Sequence, residues 1–215
     1  IQGSITTDIY DAGGEIVITV NGEISAKSLY EWSDLVVLSR AAGMLDYTAA
    51  VYVPYGDVSD EVRIEAHSNL VGMSMDLPYP LGKKRADQSR RFNYSQYFKE
   101  EGNLIGMTLD DNIQVSLKVV DSIAVGGLIH FGDEAMGHVA YDHVRMTGQL
   151  DYLDVEEWLN ALDELSYITD ISLDNEIATH VESAVIFIDK LLLHDLELED
   201  SSTRITRDGA AWLTS

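Results

Sequence analysis

The side chains best suited to chemistry gather late in the chain, where His130, His138, Asp142 and His143 fall within fourteen residues. Two imidazoles and a carboxylate on a β-scaffold can hold a divalent cation. The spacing works against it. With a strand's period of two, His138 and Asp142 share one face and His143 takes the other, so the three converge only across a bulge. No His-x-His pair occurs, and no metal is expected; the histidines read as surface groups and one satisfied core imidazole. Paired carboxylates recur at Glu100-Glu101, Asp110-Asp111, Asp133-Glu134 and Glu156-Glu157, yet hydrolysis needs two of them in one cleft with separated pKa values. They read as solvated surface. Asp170, Asp174 and Glu176 do not make a calcium loop, and neither a nucleophile elbow, a phosphate-binding glycine loop nor a zinc-protease helix motif is present. There is no Cys, hence no thiolate site or nucleophile. The expectation is a non-enzymatic protein with no cofactor and no small-molecule substrate.

A different kind of site is suggested by Lys83, Lys84, Arg85, Arg90 and Arg91, which hold 5 of the 14 basic side chains in one short stretch. Residues 142–215 carry 17 acids against 4 bases, so the two regions are complementary. Aromatic residues flank the cluster at Tyr79, Phe92, Tyr94, Tyr97 and Phe98. Arginine forks pair bidentately with carboxylates, and Tyr with Arg is enriched at interface centres. Lys83, Lys84, Arg85, Arg90, Arg91, Phe92 and Tyr94 are therefore expected to dock onto an acidic face of a neighbouring subunit. A solvated loop or pairing within one monomer are the plainer readings, and a tyrosine platform stacking sugars is another.

The 37 acidic residues against 14 basic ones give a formal net charge of -23. Such a surface repels phosphate backbones and anionic lipids, and direct nucleic-acid binding is not expected. Asp outnumbers Glu, 22 to 15, and Arg outnumbers Lys, 8 to 6, a bias consistent with a salt-rich habitat where self-repulsion is screened. Hydrophobic residues make up 46%, enough for a core, and no apolar run is long enough to cross a bilayer as a helix. The start at Ile1 implies processing or a preceding segment.

Period-two alternation marks the strands that must carry these groups. Val62, Ile64 and Ala66 alternate with charged residues; Ile113, Val115, Leu117 and Val119 alternate with Gln114, Ser116 and Lys118. Further strands are expected over 16–20, ending in a hairpin turn at Asn21-Gly22, and over 49–53, 71–77, 104–109, 128–131, 139–146 and 185–198. Helical spacing appears at Val155, Trp158, Leu159, Leu162 and Leu165 behind an Asp154–Glu157 capping pair, and again at 28–39 behind Ser28 and Glu31. The fold class expected is all-β: a jelly-roll type sandwich or barrel of about eight to ten strands with one or two helices in connections. Residues 1–215 read as a single domain with a helical insertion near 154–166.

In this acidic, Cys-free background, Arg91-Phe92-Asn93-Tyr94 through Ile113-Gln114-Val115-Ser116-Leu117, and Ile186 to Leu193, give the chain a look similar to the single-jelly-roll major capsid proteins of halophilic archaeal icosahedral viruses with an internal membrane, the sphaerolipovirus-like group. The resemblance implies a structural virion protein whose partners are copies of itself and a related second capsid protein, standing over an internal membrane. A carbohydrate-binding jelly-roll module, extracellular or on a cell surface, is the alternative.

Overall fold

The computed structural model describes residues 6–11, 14–33, 35–55, 61–121, 123–134, 136–137, 139–169, 181–194, 196–208 and 211–214. Its strands are β1 (Thr6–Asp11), β2 (Glu15–Ser25), β3 (Ala41–Pro54), β4 (Arg63–Ser68), β5 (Met73–Met75), β6 (Phe92–Tyr97), β7 (Asn103–Leu109), β8 (Ile113–Val120), β9 (Ile123–Phe131), β10 (Val144–Asp154), β11 (Val181–Leu193), β12 (Leu196–Asp208) and β13 (Ala211–Thr214). Two α-helices, α1 (Ala26–Ser33) and α2 (Val155–Thr169), and a 3-10 helix, Val36–Arg40, complete the described elements. The expected fold class, all-β with two helices in connections, is what the chain adopts.

The strands form one sheet in the order β1-β2-β3-β4-β6-β7-β8-β9-β10-β11-β12-β13, with β5 attached to β3. Apart from β5, sheet neighbours are sequence neighbours. This meander contains none of the Greek-key exchanges that define a jelly roll, so that part of the expectation gains no support from the pairing. All pairs are antiparallel except β9–β10 and β10–β11. Parallel neighbours need long return connections, supplied here by residues 132–143 and by the segment that includes α2.

Local sequence explains most element ends. Asp154 Oδ1 accepts the Glu157 amide at 2.9 Å and starts α2 as its capping pair requires. The start of α1 differs from expectation: Ser25 Oγ, not Ser28, accepts the amide three residues on, at 3.0 Å, and the helix stops at Ser33 before the 3-10 turn. Asn21-Gly22 makes no hairpin. β2 runs straight through it, with Asn21 opposite Thr48 and Gly22 opposite Tyr47, because the partner strand keeps the ladder going for three more pairs, through Ser25 opposite Met44. The apolar run 185–198 is two strands, folded back so that Leu193 faces Leu196. The expected strand 71–77 shrinks to β5, and 139–146 is strand only from Val144. Between β7 and β8 the turn places Asp110 and Asp111 at φ 55° and 69°, a left-handed geometry that Asp tolerates better than most residues.

One core cluster lies at one end of the sheet. Ala26, Leu45, Leu70 and Met73 are buried together, with Ile24, Tyr47, Phe92 and Leu109 packed around them, so α1, β5 and the 69–91 loop cap that end. Arg40 clamps the cap from outside, bonding Asp76 at 2.9 Å and pairing with Glu164 of α2. Close approach of two backbones fixes the cap on β3. Met44 N donates to Gly72 O at 3.1 Å, Gly43 sits at φ 102°, and a Cβ there would lie 2.1 Å from Gly72 O. Gly43→Ala should therefore lower unfolding free energy in urea by more than ~1 kcal/mol, from strain and collision together. Gly137→Ala, where an added Cβ meets nothing within 4 Å, should stay within about 0.5 kcal/mol.

Candidate functional site

Residues opposite one another in a ladder share a face, so the register assigns every side chain. Following it across the sheet gives a row Val20–Ala49–Ala66–Tyr94–Met107–Val115–Ile129–Met146. One step along the strands lies Ile18–Val51–Ile64–Gln96–Ile105–Leu117, and beyond it Ile16 beside Val53 and Asn103 beside Val119. In the other direction the row Tyr47–Ser68–Phe92–Leu109–Ile113–Phe131 runs into the cap. The opposite face carries Thr19, Asn21, Thr48, Glu65, His67, Asn93, Ser95, Thr108, Gln114, Ser116 and His130. From β2 to β9 the sheet thus has an apolar side and a mostly polar one, the latter also holding Val17, Leu104 and Leu128.

Packed sheets bury such an apolar side. Here every member of the row from Val20 to Met146 keeps partial solvent exposure, as does every member of the row from Ile18 to Leu117, and Ile16 is exposed outright. Burial returns beneath the cap, at Leu45 and Ile113, and towards β10 and β11, at Leu150, Ala184 and Ile188. Seven strands from β2 to β9 at about 4.8 Å spacing make each row ~29 Å long, and rows lie about 6.7 Å apart. The two complete rows, partly exposed side by side, form a contiguous apolar strip, the kind of surface associated with binding.

The long return of 132–143 packs on the other side. Gln114 Nε2 donates to Glu134 O at 3.0 Å, Met136 N to Gln114 Oε1 at 3.3 Å, and Ser116 Oγ meets Tyr141 Oη at 2.8 Å. It roofs a cleft of about 530 Å³ whose mixed lining includes Glu65, Ala66, His67, Tyr94, Val115 and Met136. On the same side Arg63 stacks over Tyr52, 3.7 Å from the ring centroid, while pairing with Glu15 and Glu65. Burial and the Glu65 carboxylate hold the Tyr52 phenol above its usual pKa.

The histidines do not assemble. His130 is 8% exposed and meets Thr147 Oγ1 through Nδ1 at 3.0 Å, while its Nε2 and Asn112 Oδ1 are buried without a partner among the described residues. His143 lies between Asp142, at 3.2 Å, and Glu182. His138, Asp170, Asp174 and Glu176 lie outside the described residues. Among the described residues no group of three metal-ligating side chains comes together.

The basic stretch turns inward. Lys83 is 2% exposed, and its Nζ donates to the carbonyls of Met73, Arg85 and Ala86 at 2.6, 2.8 and 3.1 Å. Arg90, 9% exposed, donates to Pro80 O, Leu81 O and Gly82 O at 3.0 to 3.2 Å and pairs with Asp110, whose other oxygen takes the Arg91 amide. These two cations hold the cap together from within. Arg85 pairs with Asp87 at 2.7 Å and Arg91 with Asp111 at 2.8 Å, both on the surface, and Lys84 is exposed. Phe92 and Tyr94 sit on the apolar face, whereas Tyr97 sits on the polar one and Tyr79 packs edge-on against Tyr152, so the aromatics form no single platform. What the sequence does not mark is the uncovered face itself: alternation shows a face is apolar, not whether a second layer meets it.

A family model described as YhdP protein matches residues 1–214. The chain belongs to the YhdP family, a bacterial family and not one of viral capsid proteins. No curated protein and no solved structure matches it. The capsid resemblance, the virion function drawn from it and the halophilic-virus reading of the acidity are therefore overturned, as is the carbohydrate-module alternative. Acidity and strand alternation are shared by unrelated β-proteins, and no signature motif stood behind the likeness.

Two outcomes follow from the buried cations. Arg90→Ala should cost about 2–4 kcal/mol in urea unfolding, because three carbonyls and Asp110 lose their donor. Burial lowers the Lys83 pKa from 10.5, so between the folded and unfolded values the unfolded chain binds more protons and stability rises with pH. Comparing the wild type with Lys83→Met over the alkaline range up to 10.5 should show that component lost in the variant.

Proposed function

We propose that the chain binds the hydrocarbon portion of an amphiphilic molecule along the uncovered apolar face. The observation that carries this reading is the pair of unbroken rows, Val20 to Met146 and Ile18 to Leu117, left partly exposed while the return at 132–143 packs on the polar side. Water over such a surface is costly, and each methylene that replaces it contributes about 0.8 kcal/mol.

Hydrocarbon suits the face better than a peptide does. Backbone groups of the interior strands are spent on neighbouring strands, so a peptide laid across the face finds no donors or acceptors for its own backbone. An alkyl chain brings none to satisfy. The cap borders the rows along one side, at Tyr47, Phe92, Leu109 and Ile113, and so limits how far a bound chain extends in the strand direction.

Titrating purified protein with a neutral apolar fluorophore, N-phenyl-1-naphthylamine, tests this. Saturable binding is expected, reduced at least about tenfold by Val115→Lys, which sets a charge among the rows. Ala50→Lys, on the polar face opposite Glu65, should bind as the wild type does. No saturable binding, or equal binding by both variants, would overturn the reading. A dimer that hides the face, seen by sedimentation without probe binding, would replace it with self-association.

A further inference from the structure

Resting on that reading, we infer that Gln96 is a specificity-determining residue which selects chains carrying an uncharged carbonyl, such as an acyl ester, over plain hydrocarbon. Gln96 is the only carboxamide in the two complete rows of the apolar face. Ile64 and Ile105 stand directly opposite it on the two neighbouring strands, and Tyr94 lies two residues away on its own strand. Tyr94 Oη donates to Gln96 Oε1 at 2.6 Å, which holds the amide in one orientation and occupies its acceptor. The Nε2 group then has both N–H donors left over, and no partner for it is found among the described residues. Gln96 keeps partial exposure, so in the empty protein water satisfies these donors.

A bound alkyl chain removes that water and leaves the amide donors unpaired among aliphatic side chains, which penalises the complex. A carbonyl oxygen at this depth accepts the N–H and cancels the penalty. The acceptor is uncharged because a free carboxylate adds its own desolvation cost and meets a chain of net charge -23. The Tyr94 hydroxyl sharpens the choice by fixing which end of the carboxamide faces the ligand.

Displacement of N-phenyl-1-naphthylamine from the purified chain by hexadecane, methyl hexadecanoate and hexadecanoic acid at neutral pH reads this out. On the wild type the ester should displace the probe at about tenfold lower concentration than the alkane, and more strongly than the acid. Gln96→Leu should bring ester and alkane together by losing the ester advantage, and Gln96→Met serves if the leucine variant does not fold. Tyr94→Phe, which keeps the carboxamide, should retain a preference for the ester. Equal displacement by ester and alkane on the wild type, or an ester advantage that survives in Gln96→Leu or Gln96→Met, overturns this inference alone. Failure of all three to displace bound probe overturns it together with the hydrocarbon reading.

Discussion

Everything in this molecule depends on one constraint: a strand's side chains alternate, and the ladder forces residues opposite one another onto the same side. When β2, β3, β4, β6, β7, β8 and β9 all place their aliphatic residues in phase, the outcome is a wide sheet with a greasy side and a wet side. Such a sheet ordinarily folds against a second layer. Here the described helices and the 69–91 loop cover one end, Leu150, Ala184 and Ile188 are buried towards β10 and β11, and the rows between keep partial contact with solvent.

The cap makes this arrangement tolerable. Its few buried apolar groups are joined by two buried cations, Lys83 and Arg90, each solvated by a set of main-chain carbonyls instead of water. Asp110 links the pieces: it stands in the left-handed β7–β8 turn, pairs with Arg90 and receives the Arg91 amide. Turn geometry, cap and strand register are thereby coupled at one corner of the sheet. The polar face has its own supports, in Arg63 laid over Tyr52 and in the return loop bonded to Gln114 and Ser116. That leaves the apolar rows as the surface with least internal use.

The sequence carries much of this in plain view. Ile113 to Val119 reads as a half-buried strand and is one, and the Asp154 cap and the 3.6-residue spacing behind it give α2 nearly to its ends. Asn21-Gly22 misleads because turn propensity is local, whereas the β2–β3 ladder around it is stabilised by many pairs at once. In the basic stretch, carbonyls brought in by folding capture Lys83 and Arg90 while Lys84, Arg85 and Arg91 stay at the surface, a division that no spacing rule announces. Strand order is hidden as well, since the same alternation suits a jelly roll and a meander. Hidden most completely is that no second layer among the described residues meets the apolar rows, for a half-buried strand and an uncovered one have the same pattern.

Because the chain contains no Cys, single cysteines report cleanly on which side of the sheet meets solvent. Cysteines placed at Ala49, Ala66, Met107, Val115 and Ile129 in the otherwise native chain, with reaction rates followed using a small uncharged maleimide, test the open face most directly. Rates near those of exposed positions in the ligand-free protein, falling when a hydrocarbon is added, are the expected result. Cysteines that are unreactive in the ligand-free monomer would mean that the apolar face is already covered, and would contradict the structure's central feature.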